Sequence, residues 1–133
     1  MSEPIKIDKL IDLVELNVGK LRPEAIAIVD INNKVWGMRG EIPHEFFEYY
    51  KGFPLEGMHI GDSVHNNNSF LMKVTDKIGI IVVMRDMHFS RLAAINLRGR
   101  INVLSEFYIL DKYVKKKKKS ILNEVKEKER RIW

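Results

Sequence analysis

The chain contains no cysteine. That excludes a disulfide framework, zinc modules built on thiolates and a cysteine nucleophile. It also lacks a long apolar run. The longest, Ile78 to Met84, is seven residues, far short of the roughly 20 that a membrane-spanning helix needs. The start, Met1-Ser2-Glu3-Pro4, is polar and has no cationic segment leading into an apolar stretch. No secretory signal is therefore expected, and a cytoplasmic protein is the default. The glycines at 37, 40, 52, 57, 61 and 79 form neither a GxGxxG fingerprint nor a phosphate-binding loop, so nucleotide binding by the chain itself is not expected.

Catalytic constellations are also missing. The four histidines, His44, His59, His65 and His88, are scattered and include no helical HxxxH pair. His59 and His65 could meet Asp62 around a metal, but surface or turn histidines are the plainer reading, and no metal is expected. No serine lies in a GxSxG elbow. Asp62, Ser63 and His65 suggest a triad only superficially: in a strand, positions 63 and 65 share a face and 62 points the other way. Asp76 and Asp86 read as turn residues rather than as an acid–base pair. A protein without catalytic residues or cofactor is expected.

What the sequence does contain fits one globular domain with a tail: 133 residues, 45% hydrophobic and 31% charged. The net charge of +5 is unevenly placed. Residues 112–133 hold ten basic and three acidic residues, a net +7, which leaves 1–111 at −2. The expected division is a folded domain over 1–111 and a lysine-rich C-terminal extension over 112–133, itself expected to be helical.

Hydrophobic periodicity places the elements. Ile7, Leu10, Ile11, Val14, Val18 and Leu21 repeat at helical spacing, widened by Leu13 and Leu16. Residues 25–30 and 34–39 read as a hairpin turned at Asn32-Asn33. Residues 43–53 read as a short aromatic helix: Phe46, Tyr49, Tyr50 and Phe53 form one stripe and Phe47 lies off it. A helix apolar over so much of its circumference reads either as buried on two sides, by its own sheet and by a partner subunit, or as a helix whose tyrosines present their hydroxyls to water. Residues 58–64 read as a weak, glycine-interrupted edge strand, followed by a polar loop over 65–68. Residues 70–75 and 78–84 are strands, the second apolar throughout and so buried on both faces. A helix from Ser90 as N-cap to about 111 closes the domain, with Gly99 inside it. The expected architecture is an α/β three-layer sandwich of order α-β-β-α-β-β-β-α, whose five-stranded, mostly antiparallel sheet carries helices on both faces.

Three stretches resemble the roadblock/dynein light-chain family of the profilin-like and longin-like group, in an archaeal or bacterial form. They are Ala27-Ile28-Val29-Asp30-Ile31-Asn32-Asn33-Lys34-Val35, then Gly61-Asp62-Ser63-Val64, then Phe70 to Met84 with the following helix bearing Leu97, Arg98 and Ile101. The chain departs from that family's pattern in having Asn33 where a turn glycine is usual, and in its lysine-rich extension. The resemblance implies a non-enzymatic homodimer joined through edge strands and aromatic helices, acting as a regulator or scaffold of Ras-like small GTPases. Phe47, Tyr50, Met58, Ile60 and Val64 are the expected dimer contacts. Arg39, Arg85 and Arg91 lie near strand ends or helix starts, where an arginine could reach a bound GTPase or simply form salt bridges.

Two alternatives rest on other residues. Lys115, Lys116, Lys117, Lys118, Lys119, Arg130 and Arg131 read either as a solvated extension or as a site for an anionic partner: a membrane surface, with Ile121, Leu122, Val125, Ile132 and Trp133 as apolar anchors, nucleic acid, or an acidic protein. A longin-like or sensor-like ligand-binding domain would instead have a pocket near Trp36.

Overall fold

The computed structural model describes residues 3–115. Helix α1 (Glu3–Val18) leads through a 3-10 turn (Gly19–Leu21) into strand β1 (Pro23–Asp30), which returns as β2 (Val35–Arg39). Helix α2 (His44–Tyr50) and a 3-10 turn (Leu55–Gly57) follow, then β3 (Ser63–Asn66), β4 (Ser69–Lys73) and β5 (Ile78–Met84). The described residues close with α3 (Ser90–Arg98), α4 (Ile101–Leu104) and a 3-10 segment (Ser105–Tyr113).

The strands form one sheet in the order β2-β1-β5-β4-β3. Every pairing is antiparallel, rather than most of them. As the central strand, β5 is buried at each of its residues, which explains its unbroken apolar run. Its alternation separates two cores. Ile78, Ile80, Val82 and Met84 join Ile26, Ile28, Phe70 and Met72 beneath α1, α3 and α4. Ile81 and Val83 join Ala25, Ala27, Val29 and Leu71 beneath Tyr50 and Leu55. The fold is thus the expected three-layer sandwich, with α1 and α3 on one face and the aromatic helix on the other.

The hairpin between β1 and β2 is organised by Asp30, which is buried although charged. Its Oδ1 accepts from the backbone N–H of Asn32 (2.7 Å) and Lys34 (3.1 Å), and its Oδ2 from Trp36 Nε1 (2.7 Å). Three donors satisfy the carboxylate where an unpaired one would be costly. Asn33 takes φ of 63°, the left-handed conformation that asparagine tolerates.

Several expectations are corrected. The edge strand does not begin at 58. A 3-10 turn and a tight turn held by Asp62 Oδ2 on the His59 N–H (3.1 Å) occupy the approach, with Gly61 at φ 94°, and pairing starts only at Ser63. His65 and Asn66 belong to that strand, not to a loop, because Asn67 (φ 53°) with Asn68 makes a two-residue hairpin turn. The last helix is not continuous. It breaks at Gly99-Arg100 and tightens to 3-10 geometry from Ser105. Ser90 lies inside α3, buried, with its hydroxyl unpartnered. Asp86 instead caps the preceding turn through the His88 N–H. Leu16 does not widen the stripe of α1; it is exposed.

Candidate interaction site at the edge strand

Among the described residues strand β3 pairs with β4 alone, so one row of its backbone donors and acceptors faces outward at the sheet edge. Its register with β4 pairs Val64 with Leu71 and His65 with Phe70. Val64 therefore lies over the α2 face, where it packs on the core beneath Tyr50, and Ser63 and His65 lie over the α3 face.

The five expected contact residues sit in different environments. Phe47, Met58 and Val64 are half-buried and each packs against the core of the α2 face, Phe47 beside Val29, Asn33 and Tyr50. Ile60 is 46% exposed in the turn just before β3. Tyr50 is only 2% exposed: it belongs to the protomer's own core. Its hydroxyl lies 2.7 Å from Ser69 Oγ. Ser69 donates its own proton to the Asn66 carbonyl (2.9 Å), so Tyr50 is the donor. Burial pushes the Tyr50 phenol up to about 12. The aromatic surface that α2 offers to the outside is Tyr49, which packs edge-on against Tyr50 with ring centres 5.1 Å apart.

Lys73 is a residue that the sequence reading missed. Nearly buried on the α2 side of β4, its ammonium donates to the carbonyls of Leu55 and Met58, both at 2.9 Å. It thereby pins the segment that carries Met58 and Ile60 toward β3. The available signal was a lysine at a core position of an otherwise apolar strand.

Other candidates separate in space. Ser63 Oγ and His65 Nε2 lie 3.0 Å apart, as a shared face requires, yet His65 Nδ1 is buried without a partner, so no carboxylate completes a triad. Burial and the nearby Arg91 hold the His65 imidazole below its ordinary range, hence neutral at pH 7. Among the described residues no group of three or more histidines and carboxylates is placed to hold a metal. Trp36 is half-buried and tied to Asp30, and it does not line the groove of about 480 Å³ formed by Glu24, Glu41, Ile42, Phe46 and their neighbours. Arg39 is engaged by Asp12 (2.8 Å) and by Glu15. Of the basic segment, only Lys112 and Lys115 are described; the Lys115 carbonyl accepts from Asn32 Nδ2 (2.8 Å). Lys116, Lys117, Lys118, Lys119, Arg130 and Arg131, and the expected helix through them, lie outside the described residues. No described helix is long and apolar enough to cross a membrane.

No protein-family model and no curated protein matches the chain. Solved structures do. One, MglB with a tetrameric arrangement, superposes with a TM-score of 0.50 at 8% identity, over 77% of this chain and 90% of that one. Myxococcus xanthus MglB gives a TM-score of 0.45 at 13% identity, over 88% of this chain and 96% of that one. At such identities the likeness bears on architecture alone. Its strand order and its two helical layers give this chain the roadblock-like fold of MglB.

Proposed function

We propose that this protein is a homodimeric interaction module that regulates or scaffolds a Ras-like small GTPase. The observation that carries the reading is the open outer edge of β3, at the end of a fully antiparallel sheet. It is bordered on the α2 face by half-buried Val64 and, in the segment leading into the strand, by half-buried Met58 and exposed Ile60. An exposed edge beside apolar side chains is the geometry by which two copies join their sheets. A two-fold interface would bring the same patch from each copy together. The dimer then offers a continuous sheet with an aromatic helix from each copy, a broad platform without catalytic groups of its own. The GTPase class follows from the family resemblance.

Absolute mass by light scattering, across a concentration series, tests the dimer. The expected result is twice 15.6 kDa, independent of concentration. Replacing Ile60→Asp together with Val64→Thr is expected to give monomers that melt at nearly the wild-type temperature, because Ile60 is 46% exposed and threonine keeps the β-branched shape of the half-buried Val64. Tyr50 is unsuitable for such a test, since a charge there would unfold the protomer itself. A wild-type monomer at every concentration overturns the dimer. For the partner, the dimer is expected to retain a GTP-loaded Ras-like GTPase, and loss of that capture on monomerisation would tie it to the platform.

A second reading concerns the basic segment. Its net +7 over residues 112–133 favours contact with an anionic surface, a membrane before nucleic acid because the lysine run is followed by apolar residues and Trp133.

A further inference from the structure

Two arginines on α3 lie beside the edge strand. Arg39 is engaged by two carboxylates and Lys51 by Glu48. Arg91 and Arg98, by contrast, have no ion pair or hydrogen bond among the described residues. They are seven residues apart, two helical turns, which puts them on one side of α3 and about 10 Å from each other along its axis. Both line an open groove of about 310 Å³ between α3 and β3, with Ser63, His65, Met72 and Ile95, and among the described residues no carboxylate lines it.

The aliphatic stem of Arg98 passes beside the turn that leads into β3: a Cβ at Gly61 would sit 3.7 Å from Arg98 Cγ, an ordinary van der Waals contact. Between the two arginines Ile95 is 65% exposed, an apolar side chain with nothing packed over most of it. Opposite it, Ser63 and His65 bond each other at 3.0 Å, and their faces are turned from the α2 side where the dimer contacts lie.

We propose that this groove binds an acidic peptide segment of a partner protein. One carboxylate meets Arg91, a second meets Arg98, and an apolar side chain between them covers Ile95. The guanidinium fork takes a carboxylate through two parallel N–H···O bonds. A chain in polyproline-II conformation advances about 3.1 Å per residue with three residues per turn, so carboxylates three residues apart lie on one side of it and roughly 9 Å apart, matching the arginines. A single anion would leave one of the two unpaired. The site lies on the opposite face of the sheet from the aromatic helix, and it does not depend on the proposed dimer.

The test uses the full chain at near-physiological salt and a fluorescein-labelled probe peptide, Gly-Ser-Glu-Gly-Leu-Glu-Ser-Gly, read by anisotropy. Saturable binding is expected. Arg91→Gln and Arg98→Gln should each weaken it about three- to fivefold, the scale of an exposed ion pair, and the double variant by roughly tenfold or more. Ile95→Ser should weaken it several-fold, whereas Lys9→Gln, on α1 and outside the lining of the groove, should leave it unchanged. All four side chains are exposed, so the variants keep the fold. A probe with glutamine in place of both glutamates should not bind. The proposal is overturned if the acidic probe does not bind the wild type, or if the glutamine probe binds equally well. It is also overturned if the double variant binds like the wild type, which would move the interaction to the basic segment.

Discussion

Tyr50 joins sequence to packing through a single hydroxyl. The ring is part of the core on the α2 face, so its phenol must stay protonated or bring a charge into that core. Its titration is pushed from 10.0 up to about 12, chiefly by burial. A group whose folded value is raised stabilises the fold fully below its unfolded value and loses that contribution as pH rises through the folded one. The loss therefore falls between about pH 10 and pH 12, and two units correspond to about 2–3 kcal/mol. The expected outcome is that wild-type stability, measured by urea unfolding across that range, falls more steeply than that of Tyr50→Phe, although lysines titrate in both. Near pH 7 the variant should lose only about 1 kcal/mol, the value of one neutral hydrogen bond to Ser69. Parallel pH profiles for the two proteins would show that the phenol is not desolvated.

At the scale of elements, the closing segment is held to the sheet by polar contacts as well as by Leu110 and Val114. Asp111 Oδ1 accepts from Thr75 Oγ1 (2.6 Å) and from the Lys77 N–H (3.2 Å), tying the 3-10 segment to the β4–β5 turn. Thr75 is itself buried. Asp111→Ala is expected to cost about 2 kcal/mol, because it leaves a buried hydroxyl and a backbone N–H unpaired. Amide hydrogen exchange should quicken over residues 105–115 and around residue 77 while β5 stays protected. Uniform faster exchange across the sheet would mean that the segment is not a separate unit. This tie also marks the limit of what a sequence pattern could reveal. The stripe of α1, the β1–β2 hairpin and the apolar β5 were legible because burial on one face, or on two, writes a period into the residues. The edge strand was placed correctly and bounded wrongly. Its start depends on Asp62 bonding the His59 N–H and on Lys73 reaching back to Leu55 and Met58, contacts that no local period records. Tyr50 was legible as aromatic surface, yet Ser69, 19 residues away in the chain, makes it interior. The groove between α3 and β3 left no pattern at all, since Ser63, His65, Arg91 and Arg98 meet only through the sheet.

For the whole molecule, charge and fold are separate parts. Residues 1–115 carry 15 basic and 15 acidic residues, and residues 116–133 carry eight and three, so the net +5 of the chain belongs to the last 18 residues. A neutral body neither attracts nor repels an anionic surface over long range, so any such attraction must act through the segment and must weaken with salt. Each basic residue near an anionic membrane contributes about 1 kcal/mol, and the run Lys115–Lys119 alone then supplies about 5 kcal/mol. Vesicles of phosphatidylcholine with about one-quarter phosphatidylserine should sediment the protein at low salt and release it at roughly half-molar salt. Replacing the five lysines by glutamine should abolish sedimentation without altering the mass in solution or the melting temperature, since the described fold places only Lys115 of that run, and places it exposed. Binding that survives the substitution would assign the membrane contact to the body. Salt-sensitive binding to duplex DNA with none to the vesicles would make the segment a phosphate-backbone arm instead, because lysines alone serve that purpose while the apolar residues beyond them would have no role.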